Sequence, residues 1–514
     1  MKKNACLIIF LLLIFSCDDK EPATPSCGAD LTVLGTKATV VHAGDELVIE
    51  GKNICPEEIQ SVTLNGVTAS VKSATATTIT VIVPAMDAGS AQIKVTFNGF
   101  DIVLEDTVTV AATIVPCNPK AVLRAGTTHT YTGDTWTITG EQICTDAVQG
   151  VTLNGINATI KTKSETSIVI EVPVMKPGAA DVKISYNGAE IVLGDKLEVY
   201  PGNGTWKEVS PFPQTGKMES RTFVTGGKAY VLSGAQVTKP GGEYAFTYFN
   251  NVYEYDPVAD TWTFKLEDES LYEIWYLASC RLGSRYVYTA MKKAEMKVYD
   301  PVSNSIGSIG YSDLHNPQVG LAINDDAYVL TEDDAAYALE LHKYDRGKDT
   351  WPLVNSTKPN YASTNYFLPW APFEHEGYGY FTTAQINVDK EIWLWRMDPK
   401  DNSITKISSV GTSREAGVEF PGLEYLFTID GLAYFIEMGS FELDPSSIVE
   451  PSKTLYIYNF EWNEWHVVDN ALPQTFYRPA SFTVDNRGFL GLGLGKGPGP
   501  SYAYPNNFYE FLPE

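Results

Sequence analysis

The segment Asn250 to Trp262, NNVYEYDPVADTW, limits the fold more than any other stretch, because it joins an alternating aromatic strand, an Asp-Pro turn and a second strand opened by Trp. With Asp256 as anchor, the same place is held by Asp300, Asp345, Asp398, Asn459 and Leu512. A large aromatic or apolar residue precedes each anchor (Tyr255, Tyr299, Tyr344, Met397, Tyr458, Phe511), and six residues after the first five anchors comes Trp262, Ile306, Trp351, Ile404 or Trp465. A unit that recurs every 44 to 61 residues, rich in strands and turns, cannot bury its apolar face alone and must stack on its neighbours. Six such units predict a ring of four-stranded sheets.

The two ends of the repeat are complementary. Trp206 has no Tyr-Asp-Pro turn before it, and the last unit stops at Glu514, short of its Trp. Thr205 to Val209 is therefore expected to pair with Phe508 to Leu512, completing the sixth sheet and removing an exposed edge. These units resemble the blades of kelch and galactose-oxidase-like β-propellers, which carry this Tyr-Asp-Pro turn and Trp. The Gly-Gly doublet of that family has decayed to Ser233-Gly234. The resemblance implies a six-bladed kelch-type β-propeller over residues 204–514. It does not carry the oxidase activity, because the six His are scattered and no Tyr-His pair exists from which to assemble a copper-radical centre.

A second repeat lies upstream. SVTLNGVTASVK returns as GVTLNGINATIK, with Asn65-Gly66 matching Asn154-Gly155, Pro84 matching Pro173 and Asn98-Gly99 matching Asn187-Gly188. Short alternating runs joined by Asn-Gly turns describe antiparallel hairpins in a sandwich. Both copies resemble IPT/TIG domains, which implies Ig-like β-sandwiches at 27–114 and 115–201. The chain as a whole is expected to be all-β. Cys27 with Cys55 and Cys117 with Cys144 stand at matching places in the two copies, and in an exported protein they read as one disulfide per sandwich. Cys280, in an apolar strand, is left as a small buried hydrophobe.

Residues 1–16 combine Lys2 and Lys3 with an apolar run too short to span a bilayer, the pattern of a signal peptide. Ile14-Phe15-Ser16-Cys17 resembles a lipobox with Cys17 as the lipidated residue, and Asp18-Asp19-Lys20-Glu21 in the acidic, Pro-containing linker 17–26 resembles the export signal of Bacteroidetes-type surface lipoproteins. The resemblance implies an outer-membrane protein, held by its lipid anchor alone and facing the cell exterior. A net charge of −25 opposes nucleic-acid partners.

In a four-stranded sheet the connections between second and third strands open on the same side of the ring as those between successive sheets. The long segments Ala235 to Asn250, Val354 to Phe373, Ser408 to Glu424 and Met438 to Lys453 all fall there, and variable loops on a rigid scaffold are where binding resides. They collect rings and cations suited to the faces and hydroxyls of a sugar: Tyr244, Tyr248, Trp275, Tyr361, Tyr366, Trp370 and Tyr477, with Arg221, Arg414 and Arg478. Glu219, Glu273, Glu415 and Glu419 share these loops. The reading is a non-enzymatic surface protein that binds a glycan or oligosaccharide, and resemblance to glycan-binding lipoproteins implies an outer-membrane transporter complex as partner. No catalytic residue, metal site or cofactor is expected: His375-Glu376 lacks a second His, and Gly493 to Gly499 lacks dinucleotide spacing. The alternatives are a sugar mutarotase, epimerase or lyase-like enzyme, for which a Glu and Arg near the channel would speak, and a protein-binding adhesin or scaffold.

Overall fold

The computed structural model describes residues 31–111, 118, 120–202, 204–238, 245–272, 278–290, 295–310, 314, 317–333, 338–357, 369–384, 391–411, 422–437, 453–469, 471–496 and 502–513. The chain is all-β and divides into two compact units, Met1–Asn118 and Pro119–Glu514.

In the first unit eight strands follow one hydrogen-bonded order around a single core. The strand Val67–Ala74 pairs with Ile59–Leu64 through its first residues and with Thr78–Ile82 through its last, so it passes from one half of the wrap to the other. Alternation sets the inside: Leu47, Ile49, Ile79, Val81, Ile93 and Val95 are sealed, while their strand neighbours are exposed or half-buried. The Asn-Gly turns do what the sequence requires of them. Asn65 and Gly66 both take positive φ (46° and 84°), as do Asn98 and Gly99, and the two-residue turns bring Leu64 opposite Val67 and Phe97 opposite Phe100.

The second unit begins with the second copy, a seven-stranded and a three-stranded sheet closed over Trp136, Ile138, Leu153, Ile168, Ile170 and Ile184. It continues into six antiparallel four-stranded sheets. Their innermost strands are Arg221–Thr225, Ser279–Leu282, Pro317–Ile323, Pro369–His375, Leu423–Ile429 and Ala480–Val484. Each lies against the next, and Ala480–Val484 lies against Arg221–Thr225, which closes the ring. The closing strand is the expected one: Thr205 pairs with Leu512, Lys207 with Glu510 and Val209 with Phe508.

The tryptophans of the repeat fasten neighbouring sheets. Trp262 Nε1 donates to the Ser210 carbonyl (2.9 Å), Trp206 Nε1 to the Ala471 carbonyl (2.8 Å) and Trp465 Nε1 to Ser408 Oγ (3.1 Å), each reaching the outer edge of the preceding sheet. Trp351 instead packs its indole on Gly310 without such a bond among the described residues, and a β-carbon there would stand 2.9 Å from Nε1. Gly310 is there because nothing larger leaves room for the indole.

The second copy is joined to the fifth sheet of the ring by aromatic and polar contacts. The Tyr131 ring stacks on His466 at 3.9 Å and 2°, the His129 ring on Trp462 at 4.3 Å and 15°. His129 Nε2 lies 2.8 Å from Glu464 Oε1, and the Tyr200 hydroxyl donates to Glu461 Oε2 at 2.5 Å. Cys55 and Cys144 are disulfide-bonded, and the cysteines expected opposite them, Cys27 and Cys117, lie outside the described residues. Cys280 is buried and free. The leader, Cys17 and the acidic linker also lie outside the described residues.

Candidate functional site

The six innermost strands surround a cavity of about 430 Å³. Cross-strand register shows which of their residues stand at one level. Arg221 is opposite Leu232, Val319 opposite Leu330, Trp370 opposite Thr382, Glu424 opposite Ile436 and Ala480 opposite Gly491, while Ala278 accepts from Thr289 N. The six partners occupy equivalent places relative to the repeated aromatic before each anchor. One ring of positions therefore reads Arg221, Ala278, Val319, Trp370, Glu424 and Ala480. Five of the six line the cavity, and Ala480 is flanked by the lining residues Pro479 and Ser481. Three sheets contribute small apolar groups at this level; the others contribute a guanidinium, an indole and a carboxyl.

Two further charges enter two residues before this level. Glu219 and Arg478 hold the same place in the first and sixth sheets, and both are forced into left-handed backbone (φ 59° and 48°). Isolated bridges, Met218 with Ala235 and Tyr477 with Leu494, fix them, and the Glu219 N–H donates to the Arg478 carbonyl at 3.1 Å. Their side chains form an ion pair, with Glu219 buried. A left-handed non-glycine residue costs on the order of 1–2 kcal/mol, so two side by side at a cavity mouth mark strain held in place by the surrounding fold. The Arg478 guanidinium also lies 5.7 Å from the Trp370 ring centroid and 5.4 Å from that of Tyr477.

Glu424 is the least satisfied member. It keeps part of its surface open to the cavity, but Oε2 is sealed from solvent and has no hydrogen-bond partner among the described residues. Burial pushes its pKa up to about 7, with Glu219 acting in the same direction and Arg478 and Arg221 opposing it. Burial raises Glu219 too, against the pull of Arg478 and Arg221.

Of the residues expected from the sequence, the structure brings Arg221, Trp370 and Arg478 to the cavity. Tyr477 stands behind Arg478, packed with Met218 and Leu494 and buried. Tyr248 lies apart from the cavity lining, on the hairpin of Ala235–Thr238 and Ala245–Tyr248, its ring stacked 5.9 Å from Phe246. Tyr244, Trp275, Tyr361, Tyr366 and Arg414 lie outside the described residues, as do Glu273, Glu415 and Glu419. Glu424 and Phe373, which end two of the long segments in the sequence, both belong to innermost strands. Bulges hide this. Between Trp370 and Phe373, and between Tyr425 and Phe427, the register shifts, so counting back from Phe373 or Phe427 by the spacing of the first sheet gives Ala371 and Tyr425 in place of Trp370 and Glu424.

No family model matches the chain, and no curated protein matches it. Among solved structures, a Bacteroides thetaiotaomicron VPI-5482 protein described as of unknown function is similar at 10% identity and a TM-score of 0.39, over 77% of this chain and 100% of the other. A protein named YjhT is similar at 13% identity and a TM-score of 0.39, over 58% and 95%. An auxiliary nutrient binding protein from Bacteroides ovatus ATCC 8483 is similar at 13% identity and a TM-score of 0.35, over 78% and 100%. Likenesses of this size carry no argument about function.

Proposed function

We propose that the ring is a six-bladed kelch-type β-propeller, displayed behind two Ig-like sandwiches on a lipid-anchored surface chain, and that it binds carbohydrate in its central cavity without transforming it. The observation that carries this reading is the convergence of Trp370, Arg221, Arg478 and Glu424 on a cavity of about 430 Å³. That volume lies within the range of small-molecule sites, roughly 300–1,000 Å³. A flat ring beside oriented donors and acceptors matches a sugar, which offers an apolar face and a rim of hydroxyls. A role in glycan uptake beside an outer-membrane transporter, anchored through Cys17, follows from the resemblance of the leader. Binding of a glycan panel by residues 27–514, weakened by Trp370→Ala in a variant that melts as the wild type does, is the result expected. Undiminished binding by that variant overturns the cavity as the site. Labelled palmitate entering the wild type but not Cys17→Ala tests the anchor.

One observation favours a second reading, a sugar mutarotase, epimerase or lyase-like enzyme. A carboxyl with a pKa near 7 beside two arginines is suited to moving a proton at neutral pH. Following bound sugars by NMR for anomer exchange or new unsaturated products separates the two.

A further inference from the structure

The boundary between the third and fourth sheets is open where its counterpart between the sixth and first is filled. Arg487 and Asp326 hold one place in the repeat, each opening a second strand across a two-residue turn from the innermost one, opposite Val484 and Ile323. Arg487 is held by Glu510 at 2.6 Å and lies over the Phe489 ring at 5.1 Å, and its Nη1 donates across the boundary to the Pro257 carbonyl at 3.2 Å. In the third sheet the two charges are exchanged. Lys343 holds the place of Glu510, and its ammonium is tied to Asp326 at 2.8 Å and lies over the Tyr328 ring at 5.2 Å. Neither of these side chains forms an ion pair with the fourth sheet among the described residues. A cleft of about 330 Å³ stands in the place, and Pro399, which follows the anchor Asp398 as Pro257 follows Asp256, lines it. That volume is within the range of small-molecule sites, roughly 300–1,000 Å³.

We propose that this cleft takes a guanidinium group brought by another molecule, in the place that Arg487 fills from within the chain at the other boundary. Three acidic residues line it, Asp326, Glu376 and Asp398, against two basic ones, Lys343 and Lys400. With Asp326 and Lys343 bound to each other, Glu376 and Asp398 are left without an ion-pair partner among the described residues. In the first sheet Lys228 stands 3.5 Å from the anchor Asp256; in the fourth, Tyr378 holds the place of that lysine, so Asp398 has lost its cation. Arg396 lies 4.9 Å from the Tyr378 ring centroid and is not among the lining residues. A net charge of −25 favours a cation as well. A planar guanidinium donates to a carbonyl and a carboxylate at once, which a compact ammonium does less well. The cleft opens among the turns that follow the innermost and third strands, the end of the sheets opposite to Glu219 and Arg478, and it is independent of the carbohydrate reading.

Saturation-transfer NMR and titration calorimetry of the full chain test it, with methylguanidinium and N-acetylarginine amide as probes and N-acetylcitrulline amide, of the same shape but uncharged, as control. N-acetylarginine amide should bind about tenfold more tightly than the citrulline compound. Equal affinity of the two guanidinium probes would make the source a free guanidinium compound, and tighter binding of the amide an arginine side chain of a polypeptide. Asp326→Arg combined with Lys343→Glu rebuilds the arrangement of Arg487 and Glu510, and should close the cleft and abolish binding of both probes in a protein that still melts cooperatively. Glu376→Gln, on an exposed turn, should weaken both severalfold with no change in Tm, and it decides the matter where the double variant does not fold. Equal binding of the arginine and citrulline compounds, no binding of either guanidinium probe, or undiminished binding by the folded double variant or by Glu376→Gln overturns the proposal.

Discussion

The Tyr255 hydroxyl donates to Asp260 Oδ1 at 2.8 Å, across the turn that the anchor Asp256 opens. The bond recurs five residues apart in Tyr299–Asn304, Tyr344–Asp349 and Tyr458–Asn463, and all four acceptors sit in left-handed backbone, which Asn and Asp tolerate best. Asp260 also accepts from Ser210 N at 2.9 Å, so one carboxylate ties the turn to its own strand and to the sheet before it. Asp260→Ala is expected to cost about 1–3 kcal/mol, because it leaves the Tyr255 hydroxyl without its acceptor. Asp260→Asn should lose less. Urea denaturation of the three proteins checks the order.

The Glu219–Arg478 pair predicts a strong asymmetry between single and double substitutions. Arg478→Leu strands the buried Glu219 carboxylate and should destabilise by about 3–5 kcal/mol, whereas Glu219→Leu with Arg478→Leu should recover most of the loss. A double-mutant cycle by thermal denaturation measures it. Additive losses would show that the pair is not coupled.

Lys217 is fully enclosed, donates to Asn251 Oδ1 at 3.0 Å and lies 5.0 and 5.4 Å from the ring centroids of Phe212 and Phe249. Burial pulls its ammonium down to about 7. A lysine with a folded pKa below its unfolded one contributes stability above the unfolded value, and loses it as pH falls toward the folded one. Between pH 10.5 and 7 the wild type should therefore lose stability that Lys217→Met keeps. At pH 7 the variant is expected to melt higher; a lower Tm would mean that the Asn251 bond outweighs the burial.

Burial draws His466 down to about 4, beneath the stacked Tyr131 ring. Its folded pKa lies below the ordinary 6.5, so its share of stability is present above 6.5 and lost as pH falls toward 4. The joint between the second copy and the fifth sheet should loosen over that interval. Trp462, stacked on His129 beside it, supplies a fluorescence signal, and His466→Phe should flatten the pH response.

The ring was legible because its evidence is periodic and local. Tyr255, Asp256 and Trp262 each act within one turn or against the adjacent sheet, and their spacing survives in the other repeats. The disulfide pairing of Cys27 with Cys55 and Cys117 with Cys144 is a proposal from the matching places of the two copies, and non-reducing peptide mapping tests it. The cavity was legible only where residues keep step with the repeat. Arg221 keeps step; Trp370 and Glu424 do not, because a bulge before Phe373 and another before Phe427 each add a residue that no composition or spacing announces. The pairing of Glu219 with Arg478 was hidden for another reason. It joins the first and last sheets, and nothing local links residues at opposite ends of the repeat.

Closure by Thr205–Val209 places a constraint on the time course of folding. Glu208 and Asn507 are hydrogen-bonded across 299 residues of sequence, so the sixth sheet cannot be finished until Phe508–Leu512 has been made and has folded back. Until then, Thr205–Val209 has no partner strand and waits as an open template for pairing with other chains. Contacts this distant are also the slowest to form. A chain without the strand Phe508–Leu512 would keep five of its sheets and lose the clasp, and its fate would be decided by aggregation during folding before equilibrium stability came into play.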